Sequence, residues 1–184
     1  MKIIIGLGNP DLQYKKTRHN AGFLMLDKLK KYFINSGFNF SDFALDKKFN
    51  AQISQGKINS EKVLLVKPQT YMNNSGLSVE KITSFYKIDT ANDLIIIYDD
   101  IDLPFLEVKT KGKSSGGHKG MQSIINSLNQ DNLLRIRVGI LGQKKELIKD
   151  TASYVLQNFN KQEEEKLDQI FSDIIPPIKD FLEK

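Results

Sequence analysis

The chain has 184 residues, of which 40% are hydrophobic and 27% charged; this length and composition suit one globular domain over residues 1–184 and are short for two. The absence of cysteine excludes disulfides and thiolate metal sites, and no apolar run approaches the length of a membrane span. The net charge of +5 permits a polyanionic partner such as nucleic acid, although a lysine-coated surface is the simpler explanation, because only three of the 27 basic residues are arginine.

Short apolar runs rich in Ile, Leu and Val predict strands that are covered on both faces, over residues 2–7, 62–66, 94–98 and 134–141. Residues 51–55 and 105–110 form weaker strand patterns. The chain enters its first strand at once, which leaves no room for a signal peptide and suits a cytoplasmic protein.

Apolar residues at helical spacing predict three helices, over residues 23–33, 77–86 and 121–128. Gly37 is a plausible stop for the first helix, and Asn74 and Ser75 are candidate N-caps of the second. The alternation of strands and helices predicts an α/β fold, a single domain with a twisted, mostly parallel mixed central sheet flanked by helices.

Polar residues follow several of the predicted strands. Asn9 follows the first strand, residues 67–74 follow another, and Asp99, Asp100 and Asp102 end the strand that begins at residue 94. Ligands of such sheets bind beyond the carboxyl ends of the strands, so we expect these segments to converge on one cleft.

His19 is one of only two histidines, and it lies beside Arg18 and Asn20 just before a predicted helix. Asp99, at the end of a central strand, could accept a hydrogen bond from its ring and so make the other ring nitrogen a better base toward water. A histidine that merely starts a helix or fills the core is the alternative. The aspartates could also bind a metal, but neither histidine has the spacing of a zinc helix, so no metal is expected.

The segment Gly6-Leu-Gly-Asn-Pro10 invites comparison with the dinucleotide-binding turn. Asp11 replaces the third glycine of that fingerprint, and Pro10 removes an N–H that would face a pyrophosphate. A tight turn that presents Asn9 is therefore favoured over a nucleotide site.

Two further loops could contact a substrate. Residues 67–76 include Tyr71 and Met72, which could form an apolar wall, and adjacent asparagines whose carboxamides can bind a peptide backbone or an oxyanion. Residues 109–120 contain four lysines and several glycines at the start of a helix, which suits phosphate binding. Plain solvated loops are the alternative in both cases.

These segments, taken in order, resemble the bacterial-type peptidyl-tRNA hydrolase family. The residues that carry the resemblance are Gly6-Leu-Gly-Asn-Pro10, Tyr14, Thr17-Arg-His-Asn-Ala-Gly22, Phe49-Asn-Ala51, Lys67-Pro-Gln-Thr-Tyr-Met-Asn-Asn-Ser-Gly76, Asp99-Asp-Ile-Asp-Leu-Pro104, Gly116-Gly-His118, Gly120 and Arg135-Ile-Arg-Val-Gly-Ile140. Several independent motifs in family order are far more specific than any one of them.

The resemblance implies a monomeric, cytoplasmic esterase without metal or cofactor, whose partner is peptidyl-tRNA and which cleaves the ester between the peptide and the 3′-terminal ribose. It implies that His19 is the general base for water and that Asp99 orients it. It places Lys111 and Arg137 at positions that contact tRNA phosphate. The implied substrate-binding residues are Asn9, Tyr14, Asn20, Tyr71, Met72, Asn73 and Lys119.

This sequence departs from the family pattern at three places. Asp11 replaces a common glycine, Lys119 replaces an asparagine, and residues 141–143 read Leu-Gly-Gln where Gly-Arg-Pro is usual. Lysine cannot accept a hydrogen bond, whereas its charge favours RNA. An RNA-binding module without turnover and a nucleotide-dependent enzyme are the competing hypotheses; the combination of His19, Asp99, Asn9 and Asn73 favours the hydrolase.

Overall fold

In the computed structural model, which describes residues 1–112, 114–142 and 144–184, seven strands form one sheet. The order across the sheet is β2-β3-β4-β1-β5-β7-β6. The four strands β4, β1, β5 and β7 are mutually parallel, and β2, β3 and β6 run antiparallel to their neighbours. The strands are β1 (Lys2–Gly6), β2 (Ala44–Asp46), β3 (Ala51–Ile58), β4 (Glu61–Pro68), β5 (Leu94–Pro104), β6 (Val108–Lys109) and β7 (Leu134–Leu141).

Helices cover both faces of this sheet, which confirms the predicted α/β fold. Helices α1 and α5 pack on one face, and α2 and α3 pack on the other. Short 3-10 turns at Leu12–Tyr14, Arg18–Asn20, Met72–Asn74 and Lys145–Leu147 connect the main elements. The helices are α1 (Ala21–Asn35), α2 (Ser75–Tyr86), α3 (Lys119–Leu128), α4 (Thr151–Val155) and α5 (Lys161–Glu183).

The central strand β1 shows why the apolar runs are continuous. Ile3 and Ile5 lie in the core beneath α2 and α3, whereas Ile4 lies in the core beneath α1 and α5. All three side chains are fully buried. A parallel strand covered on both faces therefore needs apolar residues at successive positions rather than at alternate ones.

The sequence predictions were wrong in detail at several places. Strand β5 continues beyond Tyr98 to Pro104, and of the strand predicted over residues 105–110 only Val108–Lys109 forms, because the chain turns at Leu106, whose φ is +81°. Strand β2 and helices α4 and α5 were not predicted.

Lys113 of the predicted basic loop and Gln143 lie outside the described residues. Among the described residues, no helix is both long and apolar enough to cross a membrane.

Two glycines allow the start of α1 to approach the sheet closely. A Cβ on Gly22 would lie 2.3 Å from Leu7 N and 2.4 Å from Ile97 O, and a Cβ on Gly6 would lie 2.4 Å from Gly22 O. In the dinucleotide fingerprint the second glycine lets the backbone approach the pyrophosphate. A Cβ on Gly8 would lie 2.6 Å from Cγ of Phe23, so a protein side chain fills that space, which argues against the nucleotide hypothesis. The close approach places the turn Arg18–Asn20 against the end of β5.

A buried ion pair anchors this turn to the C-terminal helix. The Arg18 guanidinium donates to both Glu163 oxygens at 3.1 and 2.9 Å and to Asn158 O at 2.8 Å, and it stacks on the Tyr154 ring. Glu163 also accepts from Asn160 N, which completes a capping box at the start of α5. Because one carboxylate serves both contacts, the docking of α5 and the position of the residue before His19 depend on each other.

We therefore expect Glu163→Ala to lower the free energy of unfolding by about 3 kcal/mol, because it leaves the Arg18 charge buried without its partner. The matched control is Glu164→Ala, which removes the neighbouring acid from the exposed pair with Lys16. This control should cost less than about 1 kcal/mol. Urea unfolding of the three proteins measures both changes, and equal losses would contradict the assignment.

Candidate active site

A cleft of about 410 Å³ opens at the carboxyl ends of the parallel strands β1, β4 and β5. It lies where the sequence predicts that the polar segments after these strands converge. Seven of the predicted site residues line it: Asn9, His19, Tyr71, Met72, Asn73, Asp99 and Lys119.

His19 and Asp99 form a hydrogen-bonded pair at the base of this cleft. Nδ1 of His19 lies 3.0 Å from both oxygens of the Asp99 carboxylate. The carboxylate is almost fully buried, and the ring is 12% exposed. With Nδ1 donating to Asp99, the proton of the neutral ring is at Nδ1, and Nε2 carries the lone pair that can accept a proton from water.

His118 is a second partner of Asp99 that sequence reasoning did not assign to the site. Its Nε2 lies 3.0 Å from Asp99 Oδ1, and its Nδ1 accepts the backbone N–H of Met121 at 3.1 Å as the N-cap of α3. Because a backbone N–H can only donate, Nδ1 must be unprotonated and Nε2 must carry the proton that Asp99 accepts. The available signal was that His118 is the only other histidine of the chain.

The charges of this cluster shift the pKa values of its members. Burial would raise the pKa of the Asp99 carboxyl, but the facing rings of His19 and His118 hold that pKa well below its usual range. Burial lowers the pKa of His19, and the Asp99 carboxylate raises it by more, so that the net pKa lies above that of an ordinary histidine. The ammonium of Lys119 opposes this rise.

Asn9 is held so that its amide nitrogen remains available to a substrate. Its Oδ1 accepts the backbone N–H of Met72 at 2.9 Å. Its backbone N–H donates to Asn20 Oδ1 at 2.8 Å, and its carbonyl accepts from Asn20 Nδ2 at 3.0 Å. Since Oδ1 is already engaged, Asn9 offers two N–H donors to the cleft. Asn20 is buried behind Asn9 and positions it from outside the cleft lining.

The remaining predicted site residues lie outside the cleft lining. Tyr14 is half-buried at the end of the turn Leu12–Tyr14. Arg137 Nε donates to Asp100 Oδ2 at 2.6 Å, and Nη1 donates to the carbonyl of exposed Lys111 at 3.1 Å. Asp100 itself lines the cleft, so it connects the cleft to the two basic residues Arg137 and Lys111.

Apolar side chains form another part of the cleft lining, here called the apolar wall. It comes from Ile101 at the end of β5 and from Ala152, Val155 and Leu156 in and after α4. Leu156 is 42% exposed, so part of this wall is open to solvent. Helix α4 has only five residues, too few to produce a helical pattern in the sequence.

The acidic and histidine residues could in principle bind a metal, since ligand atoms of His19, Asp99 and His118 lie within 4.8 Å of one another. The hydrogen bonds argue against it. A metal on Nε2 of His118 would move the proton to Nδ1, where it would face the N–H of Met121. Asp100 and Asp102, the other candidate ligands, form ion pairs with Arg137 and Lys145.

Comparisons with known proteins identify the family of this chain. The family model for peptidyl-tRNA hydrolase matches residues 3–184. The peptidyl-tRNA hydrolase of Fusobacterium nucleatum is 46% identical over 175 residues, covering 95% of this chain and 85% of the relative. That of Mycoplasma mycoides is 48% identical over 183 residues, covering 98% and 92%.

Solved structures of the same family share the fold. A peptidyl-tRNA hydrolase crystallised with N-propanol matches with a TM-score of 0.82 and 31% identity, covering 100% of this chain and 89% of that chain. The enzyme from Acinetobacter baumannii matches with a TM-score of 0.76 and 29% identity, covering 98% and 93%. Since the family model and these relatives extend over nearly the whole chain, the chain belongs to the peptidyl-tRNA hydrolase family.

Proposed function

We propose that this protein hydrolyses the ester between the peptide and the 3′-terminal ribose of peptidyl-tRNA and so releases tRNA for reuse. The observation that carries the proposal is the His19–Asp99 pair, in which Nε2 of His19 is left free. His19 lines the same cleft as the carboxamides of Asn9 and Asn73 and the apolar wall. A carboxylate-oriented imidazole in such a cleft suits attack of water on an ester. Membership of the peptidyl-tRNA hydrolase family supports this substrate.

In the reaction, Nε2 of His19 takes a proton from water as the water oxygen bonds to the ester carbonyl carbon. The charge that develops on the carbonyl oxygen is stabilised by N–H donors, for which the amide nitrogens of Asn9 and Asn73 are the candidates. Collapse of the intermediate breaks the bond to the ribose 3′ oxygen, which takes the proton back from His19. The products are tRNA with a free 3′ hydroxyl and a peptide acid.

The Asp99 carboxylate stays ionised throughout, because its low pKa leaves it unprotonated at any pH where His19 can act. It keeps the Nδ1 proton of His19 in place and stabilises the imidazolium that forms. His118 donates a second hydrogen bond to the same carboxylate, which restrains its orientation. No step uses a metal or cofactor.

The other substrate contacts follow from position. Tyr71, Met72 and Lys119 line the cleft, and Asn20 holds Asn9; we assign these residues and Tyr14 to substrate binding. Lys111 and Arg137 contact tRNA phosphate. Since one chain supplies all of these residues, we propose that residues 1–184 act as one domain and as a monomer, in the cytoplasm where translation produces the substrate.

His19→Ala should lower the rate of tRNA release from a purified peptidyl-tRNA by about 10³-fold, the scale that a general base contributes. Asp99→Asn should lower it by about 10²- to 10⁴-fold, because the His19 ring loses its orienting charge. The matched control is Asp102→Asn, which changes an exposed aspartate on the same strand outside the cleft. Release is measured with a chelator present.

If wild type binds peptidyl-tRNA but releases no tRNA, the RNA-binding module replaces the hydrolase as the account of this fold. Full activity of His19→Ala would remove His19 as the base. Loss of wild-type activity on chelation would contradict the metal-free mechanism.

Lys119→Asn should move the pH–rate profile to higher pH. The Lys119 ammonium lowers the pKa of His19, so its removal raises that pKa and reduces the fraction of neutral base on the ascending limb. Well above the pKa, turnover should equal or exceed that of wild type. Lys81→Asn, an exposed lysine on α2, is the control and should leave the profile in place; a shift toward lower pH in Lys119→Asn would contradict the assignment.

Lys111→Ala should raise KM and weaken its dependence on salt by about one ion, with little change in kcat, if the lysine contacts one phosphate. The measurement is KM for peptidyl-tRNA across a salt series. Lys81→Ala serves as the comparison. An unaltered salt response would place Lys111 outside the tRNA surface.

A further inference from the structure

Tyr71 has an unusual backbone conformation at the wall of the cleft. Its φ is 56° and its ψ is 159°, a combination that side chains other than glycine rarely adopt. It directly precedes the turn Met72–Asn74, which carries Asn73. A strained residue of this kind persists only where surrounding contacts determine its conformation.

The contacts that hold Tyr71 come largely from the loop after β1. The Tyr71 hydroxyl donates to Asp11 Oδ2 at 2.7 Å, and the next residue, Met72, donates its N–H to Asn9 Oδ1 at 2.9 Å. Within its own turn, Tyr71 O accepts from Asn74 N at 3.1 Å. The loop that carries Asn9 therefore holds both the side chain of Tyr71 and the backbone of the residue after it.

Asp11 and Tyr71 are both exposed, and 60 residues separate them in the chain. The resemblance to the family implies a glycine at position 11, whereas this bond depends on the Asp11 carboxylate. Exposed hydrogen bonds usually contribute little to folding. A bond between the two loops that carry Asn9 and Asn73 can nevertheless set the spacing of those carboxamides.

We propose that the Asp11–Tyr71 hydrogen bond is a tether that positions Asn9 and Asn73 for the peptide part of the substrate. Asp11 is then a positioning residue, which acts through Tyr71 and the turn after it. The inference rests on the proposed function, because Asn9 and Asn73 bind the peptidyl ester only if the protein is the proposed hydrolase. The tether then affects binding of the peptide, whereas binding of tRNA depends on Lys111 and Arg137.

The test is a double-mutant cycle of Asp11→Ala and Tyr71→Phe, measured as kcat and KM for peptidyl-tRNA. Each change should lower kcat/KM by about three- to tenfold, the scale of one hydrogen bond, because the carboxamides that the tether positions also serve the developing oxyanion. The double variant should resemble either single variant, because both remove the same bond. Asp11→Asn keeps an acceptor and should recover part of the loss.

Two further measurements separate the tether from other roles. Inhibition by free tRNA should be the same in all variants, because the tether serves the peptide side alone. Asp42→Ala and Tyr86→Phe, which remove a carboxyl and a hydroxyl outside the cleft lining, should leave kcat/KM unchanged. The hydrogen bond to Asp11 raises the pKa of Tyr71, so a tyrosine NMR titration should show that pKa fall in Asp11→Ala.

The outcomes distinguish the tether from the function on which it rests. If wild type hydrolyses peptidyl-tRNA, three results would overturn the tether and leave the hydrolase intact. These are an unchanged kcat/KM in both single variants, effects that multiply in the double variant, and altered inhibition by free tRNA. An unchanged Tyr71 pKa in Asp11→Ala would overturn it as well. Absence of hydrolysis by wild type would overturn the proposed function and this role together.

Discussion

The buried carboxylate of Asp99, placed between two histidine rings, is the interaction on which the site depends. A carboxylate in the middle of β5 would be costly to bury without partners that match its charge. His19 supplies one N–H from the turn before α1, and His118 supplies the other from the start of α3. Three segments from distant parts of the chain are thus joined at one group, and the orientation of the His19 ring follows from it.

The rest of the fold brings these segments within reach of the carboxylate. Gly6 and Gly22 let α1 approach β1 and β5 closely, which places His19 against the strand end. The Arg18–Glu163 pair joins the same turn to α5, and the cap at Met121 holds the His118 ring. The contacts that stabilise the fold therefore also hold the site, so changes beyond the cleft can alter the orientation of the His19 ring.

Much of the fold could be predicted because the buried parallel strands and the helices facing them carry strong periodic patterns. The convergence of Asn9, the 67–74 segment and Asp99 on one cleft followed from the rule that strand ends converge. The pairing of His19 with Asp99 was predicted from the chemistry of an imidazole held by a carboxylate. Helix α5 was missed although Asn160 and Glu163 form a capping box, because Pro176 and Pro177 interrupt the helical pattern. Proline has no backbone N–H to donate to the carbonyl four residues earlier, yet α5 continues through both prolines.

The finer details of the site could not be predicted, because they depend on which atoms face each other. The role of His118 requires knowing that its Nδ1 is taken by a backbone N–H, and the free amide of Asn9 follows from a contact 63 residues away. The bond between Asp11 and Tyr71 likewise depends on the path of two loops. Sequence patterns report burial and periodicity but carry little information about such contacts.

The most direct test of the central claim is ¹⁵N NMR of the two imidazole rings, which is simple because the chain contains only two histidines. At a pH where His19 is neutral, the account predicts a proton on Nδ1 of His19 and on Nε2 of His118, with the opposite nitrogen of each ring unprotonated. Replacement of His118 by glutamine assigns the signals. A proton on Nε2 of the neutral His19 ring would contradict the account, because that nitrogen could then not accept a proton from water.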